Sequence, residues 1–514
     1  MAERVHKSIM NAKIGFIFYF LSIFMAFFSR RIFLDCLGAE FIGLTSTLYS
    51  ILSFLNISEV GIGTCIGYFL YKPIEQHDEK KIGEIVSLFG YLYRIIGTII
   101  LVGGILVSVS FPIVFKDEQI PLTVIYFAFF SFLASNIIGY YINYRQILLD
   151  SDQKTYKISI YTQTGGIIKT LVQIALAYFY SNLYVWVAIE FLFSLFICWA
   201  LNYVINREYP WLRTDKSKGR EILKRYPEIL VKAKQIVIHR FKNFFLSKSD
   251  SLLIFAFESL TVVAFYSNYN MIVGKLTAVF NSILVGMNAS IGNLVAEGNR
   301  WNIKKVFWEL ITFRYWTTGV MEIGLIFLIN PVITWWLGPQ YVMNSTIVIL
   351  ILINMYIMLT RPVVDQFINA YGLYDDVWAA YTEGILNVVI TICVAYFYGL
   401  IGILLGKTIS MLLMVVIWKP YYLYKRGFGD AIAEYWKHIA THIFILLFCI
   451  GANYAIAHIL SWEADGTLTS IAAYGLCLTL PVCIVYSILI YFLTPGMKDL
   501  LKRVPFFARR MEKK

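Results

Sequence analysis

Runs of about twenty apolar residues recur from one end of the chain to the other, and each is long enough to cross a hydrocarbon core of about 30 Å as a helix. They lie near residues 14–34, 41–70, 85–115, 122–149, 157–180 and 183–205. Past a polar stretch they resume near 237–256, 260–296, 305–336, 343–370, 376–398, 400–424, 438–460 and 469–493. Of the 514 residues 59% are hydrophobic and 15% charged, against roughly 25% charged in a soluble domain. A soluble enzyme is excluded, and the expected fold is an all-α polytopic membrane protein with about fourteen transmembrane helices. The first run follows Arg4, Lys7 and Lys13 in the manner of a signal-peptide head, but no small-residue cleavage site precedes Arg30 and Arg31, so it reads as a retained helix. Seven cysteines without a CxxC indicate neither a disulfide framework nor a metal site.

Lysine and arginine partition sharply between the two sides of these runs. With the amino terminus inside, the amino-terminal segment and the segments after even-numbered runs hold 32 of the 44 Lys and Arg, whereas the opposite loops hold only Lys116. The positive-inside rule then predicts cytoplasmic amino and carboxyl termini in a bacterial inner membrane. The formal charge of +12 is a topology signal plus attraction to an anionic leaflet. Without a recognisable binding module it implies no nucleic-acid partner.

Sliding the chain on itself by 220 residues brings Arg94 onto Arg314, Gln146 onto Gln366, Tyr49 onto Tyr269 and Ser29-Arg30 onto Ser249-Asp250. A common shift, with six runs on either side of one basic linker, points to a parallel internal repeat, accidental matches between apolar helices being the alternative. The expected organisation is an N-terminal lobe over 1–206, a basic cytoplasmic linker over 207–236, a C-terminal lobe over 237–425, and two extra helices with a basic tail over 426–514.

Charges inside the runs carry the functional signal. A charge at the bilayer centre costs at least about 2.5–3.5 kcal/mol, so such groups face a bundle interior or a watery cavity, or snorkel from helix ends. Arg94, Arg145, Lys242 and Arg314 lie near cytoplasmic ends and read as snorkelling. Deeper cations imply an anion, and Arg30, Arg31, Lys248, Lys275 and Arg361 are the candidates for lining a substrate cavity. Intramembrane acids are fewer. Asp250, with Asp365 and Asn369, is the candidate site for a coupling Na⁺ or proton, a structural ion pair being the alternative. No cofactor, metal or catalytic group is expected, and no Walker A phosphate loop is present. Gly61, Gly63 and Gly67, and Gly286 and Gly292 in the second half, mark either broken helices along a translocation path or close helix packing.

The segments SRRIFLDCLGAEFIGL (29–44), SFLNISEVGIGTCIGYFLYKPIEQHDEKKI (53–82), SKSDSLLIF (247–255), VVAFYSNYNMI (262–272), SIGNLVAEGN (290–299) and INAYGLY (368–374) resemble the Wzx-type polysaccharide exporters of the multidrug/oligosaccharidyl-lipid/polysaccharide flippase superfamily. The resemblance implies two six-helix lobes in a V, alternating access to a central cavity, and cations at the positions of Arg30 and Lys275 that contact a lipid diphosphate. It also implies an ion-site acid on the seventh helix, which Asp250 matches. The implied cargo is a polyprenyl-diphosphate oligosaccharide, moved to the outer leaflet among membrane lipids, with a polysaccharide polymerase and glycosyltransferases as further partners. Arg31 beside Arg30, and the lack of the full arginine set of lipid II flippases, depart from the pattern and disfavour lipid II itself. A multidrug or cation antiporter of the same superfamily, and a membrane-embedded polymerase, are the rival readings.

Overall fold

The computed structural model describes residues 2–59, 61–229, 249–284, 287–373 and 375–503. The fold is all-helical and polytopic, as the sequence predicts, and no strand occurs among the described residues. That follows from the solvent: hydrocarbon offers a backbone N–H or C=O no partner, and a helix pairs every one internally. Nine helices among the described residues are long and apolar enough to cross a membrane, from Ile9–Leu37 to Leu468–Leu493.

The other runs take different forms. The second is split into Ala39–Leu55 and Ile62–Glu75 by a 3₁₀ turn at Asn56–Glu59. The eleventh and twelfth run together, joined across Gly399 at φ 52, ψ −130. Thr155–Tyr180 and Leu260–Leu284 are helices of full length whose Thr, Gln, Asn and Lys side chains lower their apolarity. Most of the seventh run lies outside the described residues.

Helix bounds repeat along the chain. Glu79–Ser108, Leu122–Ile142 and Thr155–Tyr180 reappear about 220 residues later as Arg300–Trp336, Ser345–Thr360 and the first part of Val377–Met411. Their ends agree in detail. The tetrad AYFY closes one helix at 177–180 and another at 395–398, with Tyr178, Phe179 and Tyr180 exposed in the first and Tyr396, Phe397 and Tyr398 in the second. Exposed aromatic clusters of this kind belong at a membrane–water interface. Each is followed by a residue of positive φ, Ser181 and Gly399.

The chain divides into two compact units, Met1–Ala264 and Phe265–Lys514. In the first, the helix Ala2–Leu37 packs on Thr155–Tyr180, and Leu122–Ile142 packs on both Glu79–Ser108 and Leu183–Glu208. The start of the polar linker docks on this bundle. Leu212, Ile222 and Ile229 join a buried cluster with Val86, Tyr144 and Ile205, and Arg225 pairs with Glu84 at 2.8 Å. In the second unit, Arg300–Trp336 is central, packed against Ser345–Thr360 and against the last two spans, Ala433–Ile459 and Leu480–Leu493. Ile323, Leu446, Val482 and Tyr486 fill that contact.

Candidate functional site

In the first unit the deep charges are paired. Lys169 and Glu190, on neighbouring helices, form an ion pair at 2.5 Å. Tyr49 donates to one Glu190 oxygen at 3.3 Å and Gln173 to the other at 3.0 Å. Glu59 sits on the 3₁₀ turn that breaks the second run and accepts hydrogen bonds from Tyr93 at 2.5 Å and Tyr140 at 2.7 Å. A carboxylate with several donors tolerates a low-dielectric site that would expel a bare one.

The neighbouring pair Arg30 and Arg31 points two ways, because successive helical residues are about 100° apart. Arg30 is half-buried, and its guanidinium donates to the Ala264 carbonyl at 3.3 Å. Arg31 extends the exposed stripe Ile17, Leu21, Phe24 and Phe28, and lies 3.9 Å from Asp35 one turn on, with 63% of its side chain exposed. Asp250 opens the helix Asp250–Phe257 and is half-buried. Lys248 lies outside the described residues.

In the second unit one constellation comes together. Arg361 stands at the joint between Ser345–Thr360 and Pro362–Ala370, where the following Pro362 has no N–H to continue the helix ladder. Its Nε donates to Asp365 at 3.0 Å, and its Nη1 lies 3.7 Å from Glu383. Lys419 pairs with the other Asp365 oxygen. Two cations and two carboxylates therefore neutralise one another in a site where Glu383 is only 1% exposed. From Glu383 a polar seam continues along the same helix face through the buried Asn387 and Thr391. Opposite it, Ser410 accepts from Asn387 at 2.9 Å, and Thr408 donates to Asn354 at 2.9 Å. Asn369 lies one turn beyond Asp365 and is exposed, and Lys275 is half-buried in Leu260–Leu284.

Sequence reasoning placed Arg361 and Asp365 in two separate candidate sites, counted Lys419 among cytoplasmic loop residues, and gave Glu383 no role. The i,i+4 spacing of Arg361 and Asp365 was the available signal. Arg314, expected to snorkel, is buried instead: it donates to Asn281 at 3.0 Å and the Leu359 carbonyl at 3.4 Å, with its guanidinium 5.0 Å from the Phe280 ring centroid.

Outside the membrane helices, the end of the first unit on which the polar linker docks carries an ion cluster. Asp152 binds Lys7 at 3.0 Å and Lys154 at 2.8 Å, and accepts a hydrogen bond from Tyr209 at 2.8 Å. Burial opposes its charge, but these partners outweigh burial and hold its carboxyl below the ordinary value.

No protein-family model and no curated protein matches the sequence. Solved structures do. The chain is similar to the lipid II flippase MurJ in an inward closed conformation, with TM-score 0.65 and 14% identity over 94% of this chain and 99% of that one. It is also similar to an inward-facing multidrug resistance MATE family transporter, with TM-score 0.53 and 14% identity over 78% of this chain and 94% of that one. At such identities the likeness establishes a shared fold. The chain is thus a multi-pass membrane protein with the helical architecture that these transporters share.

Proposed function

We propose that the protein is a flippase of the multidrug/oligosaccharidyl-lipid/polysaccharide superfamily that carries a polyprenyl-diphosphate-linked oligosaccharide from the cytoplasmic to the outer leaflet of a bacterial inner membrane, both termini being cytoplasmic. The observation that carries this reading is the fold likeness to a lipid II flippase along nearly the whole of both chains. The half-buried cations Arg30 and Lys275 support the anionic headgroup, because a diphosphate cannot enter hydrocarbon unless fixed charges and donors replace its water. The polyprenyl tail stays in lipid throughout. Such transport needs geometry and charge but no catalytic group; glycosyltransferases assemble its lipid-linked cargo on the cytoplasmic side and a polymerase takes up the product for a surface polysaccharide.

Coupling to Na⁺ or protons belongs, in this reading, to carboxylates: Asp250, or Asp365 with the Glu383–Asn387–Thr391 seam and Asn369 beyond it. A second reading, a multidrug or cation antiporter, draws on the MATE-like fold and on the self-neutralised Arg361 cluster, which leaves fewer charges for an anion. Deletion in the native host separates the two. Accumulation of lipid-linked oligosaccharide on the cytoplasmic leaflet is the expected outcome; unchanged leaflet distribution with new sensitivity to cationic drugs is the outcome that favours antiport.

A further inference from the structure

We infer that the first unit carries a binding site for one anionic glycerophospholipid, its headgroup held by Arg94, Arg145 and Lys216 and an acyl chain laid along the exposed face of the helix Glu79–Ser108.

A groove of about 820 Å³ runs along that face, lined by Arg94, Ile95, Thr98, Ile99, Val102 and Lys216 among others. Its polar end is built. Lys216 comes from the docked part of the linker; its ammonium donates to the Tyr141 carbonyl at 2.7 Å and stands 4.3 Å over the Tyr144 ring. Beside the groove rather than in its wall, Arg145, whose charge acts on Lys216, is braced by Asn206 at 2.9 Å and Asn202 at 2.7 Å. Arg94 is exposed. Among the described residues none of the three is ion-paired. The nearest carboxylate in sequence, Asp215, is engaged by the Ser217 amide at 3.0 Å and hydroxyl at 2.5 Å and lies 4.0 Å from Lys218. Burial and then the positive charges of Arg94 and Arg145 push the Lys216 ammonium below its ordinary value, as expected where like charges meet without an anion.

The level of the cluster identifies the occupant. Beyond Arg94 the exposed apolar residues of this helix include Ile95, Ile99, Val102 and Leu106, and the helix runs on to Ser108, about 21 Å at 1.5 Å per residue, which covers most of the hydrocarbon thickness. Arg94 and Lys216 therefore lie at headgroup depth on the cytoplasmic side. A soluble phosphate would leave the apolar wall unused. The groove itself ends near Leu106, about 18 Å beyond Arg94, which suits one acyl chain; a polyprenyl tail is several times longer. A lipid seated here would join the linker to the membrane face of the bundle.

Native mass spectrometry of the purified full chain in detergent tests this, with phosphatidylglycerol and phosphatidylcholine of equal acyl chains as probes. One phosphatidylglycerol should be retained in preference to phosphatidylcholine, and Arg94→Gln and Lys216→Gln should each reduce that preference about fivefold. Ile99→Trp with Val102→Trp, which fills the apolar wall and leaves every cation in place, should also displace the lipid. Arg94 is exposed, so that variant keeps the test open if Lys216→Gln disturbs the linker. Equal retention of both lipids overturns the proposal. So does undiminished preference in the Arg94→Gln protein, displacement by inorganic phosphate alone, or displacement by a polyprenyl diphosphate at equal concentration, which would assign the groove to the transported lipid.

Discussion

Glu190 shows at the scale of one residue how a charge survives inside these helices. It has an ammonium, a phenol and an amide directed at its two oxygens. Removing one member of such a pair strands the other and costs about 3–5 kcal/mol, whereas removing both costs less. Lys169→Met and Glu190→Gln should therefore each destabilise the purified protein more than the double variant does relative to the additive sum, as read from unfolding midpoints in detergent. Asp152 makes a prediction outside the membrane. Its folded carboxyl lies below the ordinary value, so the stability it contributes is fully present above about pH 4 and is lost as pH falls through the lower folded value. Wild-type midpoints should fall in that acid window, and Asp152→Asn should be less stable at neutral pH with a flatter acid limb. These partners were only half legible in the sequence. Composition marks a lysine and a glutamate in apolar runs as anomalous, but which charges meet depends on helix rotation, which periodicity does not fix in helices apolar on nearly every face. Lys419 was counted with the cytoplasmic residues 419–437, yet the helix continues past it.

At the scale of elements, close approaches and breaks do the positioning. A Cβ added to Gly43 would overlap the Leu260 carbonyl, so the helix Ala39–Leu55 meets the start of Leu260–Leu284 backbone to backbone. Gly43→Val should cost about 3 kcal/mol or more and lower the yield of folded protein in detergent extraction. Gly399 joins two spans at φ 52, ψ −130, a region essentially reserved for glycine, and Gly399→Ala should cost about 1–3 kcal/mol there. Ala in place of Ser181, whose φ is 44, should cost less, since a non-glycine residue already holds that turn. Hydrophobicity exposed the helices because lipid demands them. The breaks were harder to read, since Gly61, Gly63 and Gly67 look alike in a sequence and only Gly61 takes a positive φ. The AYFY tetrad carried a clearer sign of the repeat than the scattered identities at a shift of 220, but its shift is 218, and matching at one fixed spacing passes over it.

For the whole molecule, the fold is shared with a lipid II flippase and a multidrug transporter, and the cargo proposed for this chain rests on its cations. The duplication of helix bounds was visible in the sequence; the partners of the charges were not, because they depend on tertiary contacts between helices far apart in the chain. The most direct test of the central claim is flipping of a fluorescent polyprenyl-diphosphate oligosaccharide in proteoliposomes, read as the fraction of label accessible to an external quencher over time. The wild type should move the lipid faster than empty vesicles do, and Arg30→Glu and Lys275→Glu should each slow it at least about tenfold while folding normally. Flipping at the wild-type rate by both variants, or no flipping by the wild type, would contradict the account.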